Sequence, residues 1–121
     1  VILDMGDKFA DISSERSDIT LKAAAIHARN IAKQYKCAVI WMSQLSAEAE
    51  GRSDLNQAMM EGSKTGKAAE ADLMILIGKT QQVEGEEEDP IRYLNIAKNK
   101  LNGFQGKITC SLDGARSLYS S

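Results

Sequence analysis

Three short stretches of this sequence put polar side chains at the ends of apolar runs. Val1-Ile2-Leu3 ends in Asp4, and Val39-Ile40-Trp41-Met42 ends in Ser43-Gln44. Lys98-Asn99-Lys100 follows the run 91–97 and precedes Asn102-Gly103. An acid, an amide and a pair of cations at strand ends stand where an open α/β sheet keeps its ligand chemistry. Lys98 and Lys100 are two apart, so on an extended backbone their side chains share a face. A fourth stretch, Gly62-Ser63-Lys64-Thr65-Gly66-Lys67, imitates a phosphate-binding loop but fails its pattern. Three residues rather than four separate its glycines, Ala68 follows the lysine, and no apolar strand leads into it.

The remaining polar residues carry no site of their own. Cys37, Cys110 and the single His27 have no metal-ligand spacing, and the two cysteines read as buried, reduced thiols of a cytoplasmic protein. Net charge is −2, which excludes a strongly basic binding domain. Setting aside the five acids between Glu84 and Asp89 turns −2 into +3, leaving room for a local cationic surface. The acid run itself reads as a solvated loop. No apolar run approaches the roughly 20 residues needed to cross a bilayer, and no signal segment opens the chain. With 43% hydrophobic and 26% charged residues the chain is an ordinary folded one. It is one domain or part of one, and an opening Val already inside an apolar strand suggests a longer polypeptide.

The elements that must position these groups follow from periodicity. Val1 to Met5 reads as a buried strand. Residues Leu21, Ala25, Ala28, Ile31 and Tyr35 form one apolar stripe of a helix over about 19–34, with Lys22, Arg29 and Lys33 opposite. Cys37 to Met42 is apolar throughout, the pattern of a central strand covered on both faces. Strand, helix and strand together predict a parallel crossover unit. Residues 46–63 lose periodicity and are too long for a plain connection. A short helix from 64 or 65 to 71, strands at 73–77, 91–97 and 107–112, and a hairpin turn at Asp113-Gly114 complete the chain.

Taken in order, Val1-Ile2-Leu3-Asp4, Val39-Ile40-Trp41-Met42-Ser43-Gln44-Leu45-Ser46, Glu70-Ala71-Asp72-Leu73-Met74-Ile75 and Lys98-Asn99-Lys100-Leu101-Asn102-Gly103 with Gly106 resemble one family. It is the RecA-like motor domain of DnaB-type hexameric replicative helicases, phage forms included. The resemblance covers residues 1–121 but only the later half of that domain. It implies an α/β fold, a partial RecA-like P-loop NTPase core that holds the Walker B half, lacks the Walker A strand and loop, and closes on an antiparallel hairpin. Residues 1–5, 38–43 and 73–78 should be parallel strands of one sheet, with the absent Walker A strand between the last two.

The resemblance also assigns roles. Asp4 would hold Mg²⁺ through water beside ATP, and Gln44 would sense the γ-phosphate. Lys98 and Lys100 would reach a neighbouring subunit's triphosphate, with Lys100 standing where the family has Arg; the exchange keeps the charge and loses the bidentate fork. Arg52, Lys64 and Lys67 would meet single-stranded DNA from the loop 46–67. The implied activity is ATP-dependent DNA unwinding by a homo-oligomeric, hexameric ring in the cytoplasm of a bacterium or phage-infected host, with no membrane contact. The isolated piece, lacking the phosphate loop, should be inactive. Two alternatives stand beside this: a RecA- or RadA-like recombination ATPase, and a non-enzymatic α/β interaction domain.

Overall fold

The structure, a computed structural model, describes residues 1–4, 6–9, 17–60 and 66–121. It divides into two compact units. The first comprises Val1–Ser46 and Met60–Ala71, the second Ala47–Met59 and Asp72–Ser121.

In the first unit, strands β1 (Ile2–Leu3) and β2 (Ile40–Trp41) pair in parallel, with Ile2 opposite Ile40 and Leu3 opposite Trp41. Helix α1 (Ser17–Tyr35) connects them, as the crossover pattern requires. Leu21, Ala25 and Ala28 on its apolar stripe are buried, whereas Tyr35 at its end is 67% exposed and departs from the stripe. The helix stops there because Lys36 turns into the left-handed region at φ 49°, and Cys37 N donates to Ala32 O at 3.1 Å. That six-to-one bond is the signature of a Schellman cap. Helix α2 (Gly66–Glu70) packs against α1, contributing the buried Ala68. Its C-terminal end is fastened by Arg29, whose Nη1 donates to Glu70 O at 2.6 Å.

In the second unit, β3 (Leu73–Gly78), β4 (Ile91–Asn99), β5 (Gly106–Asp113) and β6 (Leu118–Ser120) form an antiparallel meander in that order. Residues 47–59 cross the face that carries Met74, Leu76 and Gly78 and bring Leu55 and Met59 into the core. Gly78 is required there, because a Cβ at that position would lie 2.5 Å from Arg52 O. Asn95, only 6% exposed, binds the segment to the sheet. Its Nδ2 donates to Ser53 O at 3.0 Å, and its Oδ1 accepts from Leu55 N at 3.3 Å.

Several expectations change. Among the described residues β3 pairs with β4 alone, antiparallel, and β1 pairs with β2 alone, so the expected parallel neighbour of β3 is not seen. The expected lack of direct pairing between 38–43 and 73–78 holds. The run 37–42 is not covered on both faces, since Ile40 is 53% and Met42 46% exposed. Cys37 is only half-buried, and Cys110 is buried. The acid run is not merely solvated: Glu88 Oε1 lies 2.9 Å from Arg92 Nη2, and Asp89 Oδ1 accepts from Ile91 N at 2.9 Å. These bonds close the base of the β3–β4 loop. The Asp113-Gly114 hairpin forms with a four-residue connection, in which Asp113 Oδ1 accepts from Ala115 N and Arg116 N, and Ser117 takes the left-handed conformation.

Candidate functional site

Two polar strand ends come together in the first unit. Beyond the β1–β2 pairs, Met42 N donates to Leu3 O at 3.0 Å and Gly6 N to Met42 O at 2.9 Å. The chain therefore leaves both strands side by side, and Asp4 and Gln44 sit exposed just past those ends. The ladder can continue because Gly6 has no side chain; a Cβ there would overlap the Trp41 indole. Local sequence thus sets this edge: two short apolar runs, a glycine that lets Trp41 approach, and polar residues where the pairing stops.

Asp4 is a single exposed carboxylate, and among the described residues no group of three His, Cys, Asp or Glu side chains is placed to hold a metal. One carboxylate alone does not make a metal site; Mg²⁺ held through one or two carboxylates takes phosphate oxygens and water as its other ligands.

Ser43, beside Gln44, is half-buried and its Oγ accepts a hydrogen bond from Lys67 Nζ at 2.8 Å. Lys67 is 5% exposed. The resemblance gives Lys67 a contact to DNA phosphate; in this fold its buried side chain donates to Ser43. Arg52 belongs to the second unit and is exposed, and Lys64 lies outside the described residues.

Lys98 is the penultimate residue of β4, half-buried, with its Cα opposite Met74. Lys100 is the first turn residue; its N donates to Asp72 O at 2.8 Å and its Nζ lies 3.9 Å from Asp72 Oδ1. Both side chains of that ion pair are about half exposed, and a long, exposed pair contributes little. Lys100 can therefore exchange Asp72 for a stronger anion. The following turn is closed by side-chain bonds: Asn99 Oδ1 accepts from Leu101 N at 3.0 Å, and Asn102 Oδ1 from Phe104 N at 3.0 Å.

A polar cleft of about 590 Å³ in the second unit is lined by Asp54, Gln57, Asn95, Gln105 and Lys107, among others. Several of these groups satisfy one another or nearby backbone: Lys107 Nζ donates to Asp54 Oδ1 at 2.7 Å, and Gln57 Nε2 to Ala97 O at 2.9 Å. The Lys107 bond holds the Asp54 carboxyl below the usual carboxylate range, with a smaller contribution from Ser53.

Sequence reasoning missed the Ser43–Lys67 bond and the role of Asn95. A signal existed for the second: an amide between Leu94 and Ile96 in an apolar strand demands buried partners. None existed for the first, because its partners lie 24 residues apart.

No family model and no curated protein matches this chain. Solved structures do. One of them, an ATPase domain, superposes with a TM-score of 0.76 at 17% identity, covering 93% of this chain and 40% of that one. Another, a DnaB-like replicative helicase solved for its interactions with primase, superposes with a TM-score of 0.77 at 19% identity, covering 94% and 28%. The chain thus spans less than half the length of either. Among the described residues no helix is long and apolar enough to cross a membrane. At this identity the likeness establishes architecture: the chain has an α/β, RecA-like fold of the kind seen in DnaB-like helicase ATPase domains.

Proposed function

We propose that residues 1–121 are the later half of the motor domain of an ATP-dependent DNA helicase, which translocates along single-stranded DNA as a homo-oligomeric, hexameric ring in the cytoplasm. The observation that carries this reading is the parallel β1–β2 edge, which sets a carboxylate and an amide at neighbouring strand ends within a RecA-like fold. The uncovered apolar residues of β3 support it. Leu73, Ile75 and Ile77 are 44–50% exposed while Met74 and Leu76 are buried, so the strand is apolar on both faces and fits a larger core.

In this reading Asp4 would help hold Mg²⁺, which would neutralise phosphate charge of ATP. The Gln44 amide, neutral and exposed, donates toward the terminal phosphate or the attacking water and moves at low cost because no charge is displaced. Lys98 and Lys100, at the end of β4, project positive charge toward a neighbouring subunit's nucleotide, where charge builds during transfer. Arg52 and Lys64 meet the DNA backbone without regard to base sequence. This sequence contains no GxxxxGK[ST] loop, so the 121 residues alone should not turn over ATP.

The test uses the full-length protein. Single-stranded DNA should stimulate its ATP hydrolysis; Asp4→Ala should abolish Mg²⁺-dependent turnover, and Gln44→Ala should retain ATP binding but lose the stimulation. A full-length protein that does not hydrolyse ATP, with or without DNA, would overturn the proposal.

A further inference from the structure

Met60 and Lys67 are both tied to the three residues centred on Gln44. Met60 forms an isolated antiparallel bridge with Leu45. Lys67 reaches back to Ser43, its Nζ donating at 2.8 Å to the hydroxyl oxygen. Ser43 Oγ in turn lies 3.5 Å from Gln44 O, a long contact that a rotating hydroxyl can make while accepting from the lysine. The residues immediately before and after Gln44 are thus the two anchorage points.

The lysine end of this arrangement is built rather than incidental. Lys67 is 5% exposed, and burying an ammonium group is costly unless it is hydrogen-bonded. It sits in a helix of five residues whose other end Arg29 fastens. Besides the 2.6 Å bond to Glu70 O, Arg29 Nε lies 3.9 Å from Glu70 Oε2. With α2 held to α1 at one end and to Ser43 at the other, a shift of the Ser43-Gln44 peptide must pull on Lys67. A charge-assisted bond has the strength and the directionality to transmit that shift.

We propose that Lys67 is a positioning residue: through Ser43 it fixes the peptide that carries Gln44 and couples movement of that amide to the start of α2. The inference rests on the reading of Gln44 as the nucleotide-sensing amide. It assigns Lys67 to the inside of the machine, in place of a direct contact to DNA phosphates.

The full-length protein distinguishes these. Lys67→Met keeps the aliphatic length and removes the donor; Ser43→Ala removes the acceptor and leaves the lysine. Each should lower the DNA-stimulated kcat about tenfold, the effect of losing one charge-assisted hydrogen bond, while KM for ATP stays within about twofold. The double variant should lose less than the product of the two single effects, because both delete the Ser43–Lys67 bond. Lys67→Arg should recover part of the stimulation. The salt dependence of single-stranded DNA binding should be unchanged in Lys67→Met. A fall in that slope of about 0.7 would make Lys67 a phosphate contact and overturn the inference. Normal stimulation in both Lys67→Met and Ser43→Ala, with Gln44→Ala defective, overturns it alone and leaves the helicase reading intact. Normal stimulation in Gln44→Ala as well removes the sensing role on which it rests. If Lys67→Met fails to fold, Ser43→Ala and the Ser43→Ala/Lys67→Arg pair carry the same comparison.

Discussion

Replacing Asn95 by Ala tests how residues 47–59 are held to the sheet. The amide is 6% exposed and gives Leu55 N its acceptor, while donating to Ser53 O at 3.0 Å and approaching Tyr93 O at 3.3 Å and Leu76 O at 3.5 Å. Alanine would leave the Leu55 N–H, on a residue only 8% exposed, without a partner. An orphaned buried donor costs about 1–3 kcal/mol, and the 3.3 Å length of the deleted bond argues against the upper end. A loss of about 2 kcal/mol corresponds to a roughly thirtyfold rise in the population of the opened segment. Hydrogen exchange of peptides covering 47–59 reads this directly, since amides there exchange through local opening. Asn95→Asp sharpens the test. It keeps an acceptor for Leu55 but turns an oxygen toward three carbonyls, so the buried carboxyl's folded pKa should rise above the unfolded value of about 3.9. Its penalty is absent below that value and grows as pH rises through it, reaching its full size above the folded pKa. Exchange of 47–59 that rises less than about threefold in Asn95→Ala would refute Asn95 as the anchor.

Three further outcomes are expected. Asp54, whose carboxyl is held low by Lys107, should contribute stabilisation that is present above the unfolded carboxylate value and lost as pH falls through its lower folded pKa. Protection of amides near residue 54, taken relative to the intrinsic exchange rate at each pH, should therefore fall at acid pH, and Lys107→Met should remove that part of the response. In the full-length protein, Lys100→Ala should leave ATP binding nearly intact and strongly reduce DNA-stimulated hydrolysis. Mixing it with Asp4→Ala subunits should restore some turnover, because an interface can then pair an intact Lys100 with an intact Asp4; unaltered turnover in Lys100→Ala makes that residue a solvated lysine. Arg52→Ala and Lys64→Ala should each weaken single-stranded DNA binding equally across base sequences. Each should also lower the salt slope by about 0.7 for every phosphate no longer neutralised, measured by titration at several salt concentrations.

Local pattern was enough to read α1, the parallel pairing of β1 with β2, the strands of the meander and the turn after Asp113; β1 (Ile2–Leu3) is shorter than the run 1–5 and exposed at Ile2. In each, neighbours within a few residues decide the outcome: the three-and-four spacing of Leu21, Ala25 and Ala28 selects a helix face, and Asp113 caps backbone groups two and three residues on. The ends of β1 and β2, and so the placement of Asp4 and Gln44, followed from the same local rules. Tertiary structure alone decided the rest. An apolar run such as Leu73–Ile77 fits a parallel or an antiparallel neighbour equally well; the fold showed that one of its edges pairs antiparallel with β4, with a register shift between Met74 and Ile75. Lys67 looks in sequence like any cation of a polar loop, and only contact with a serine 24 residues away turned it inward. Asn95 became an anchor because residues 53 and 55, some forty positions distant, present a carbonyl and an N–H to its amide. Hydrogen bonds over such separations leave no periodic trace in a chain, because the partner's position is set by the packing of everything between them.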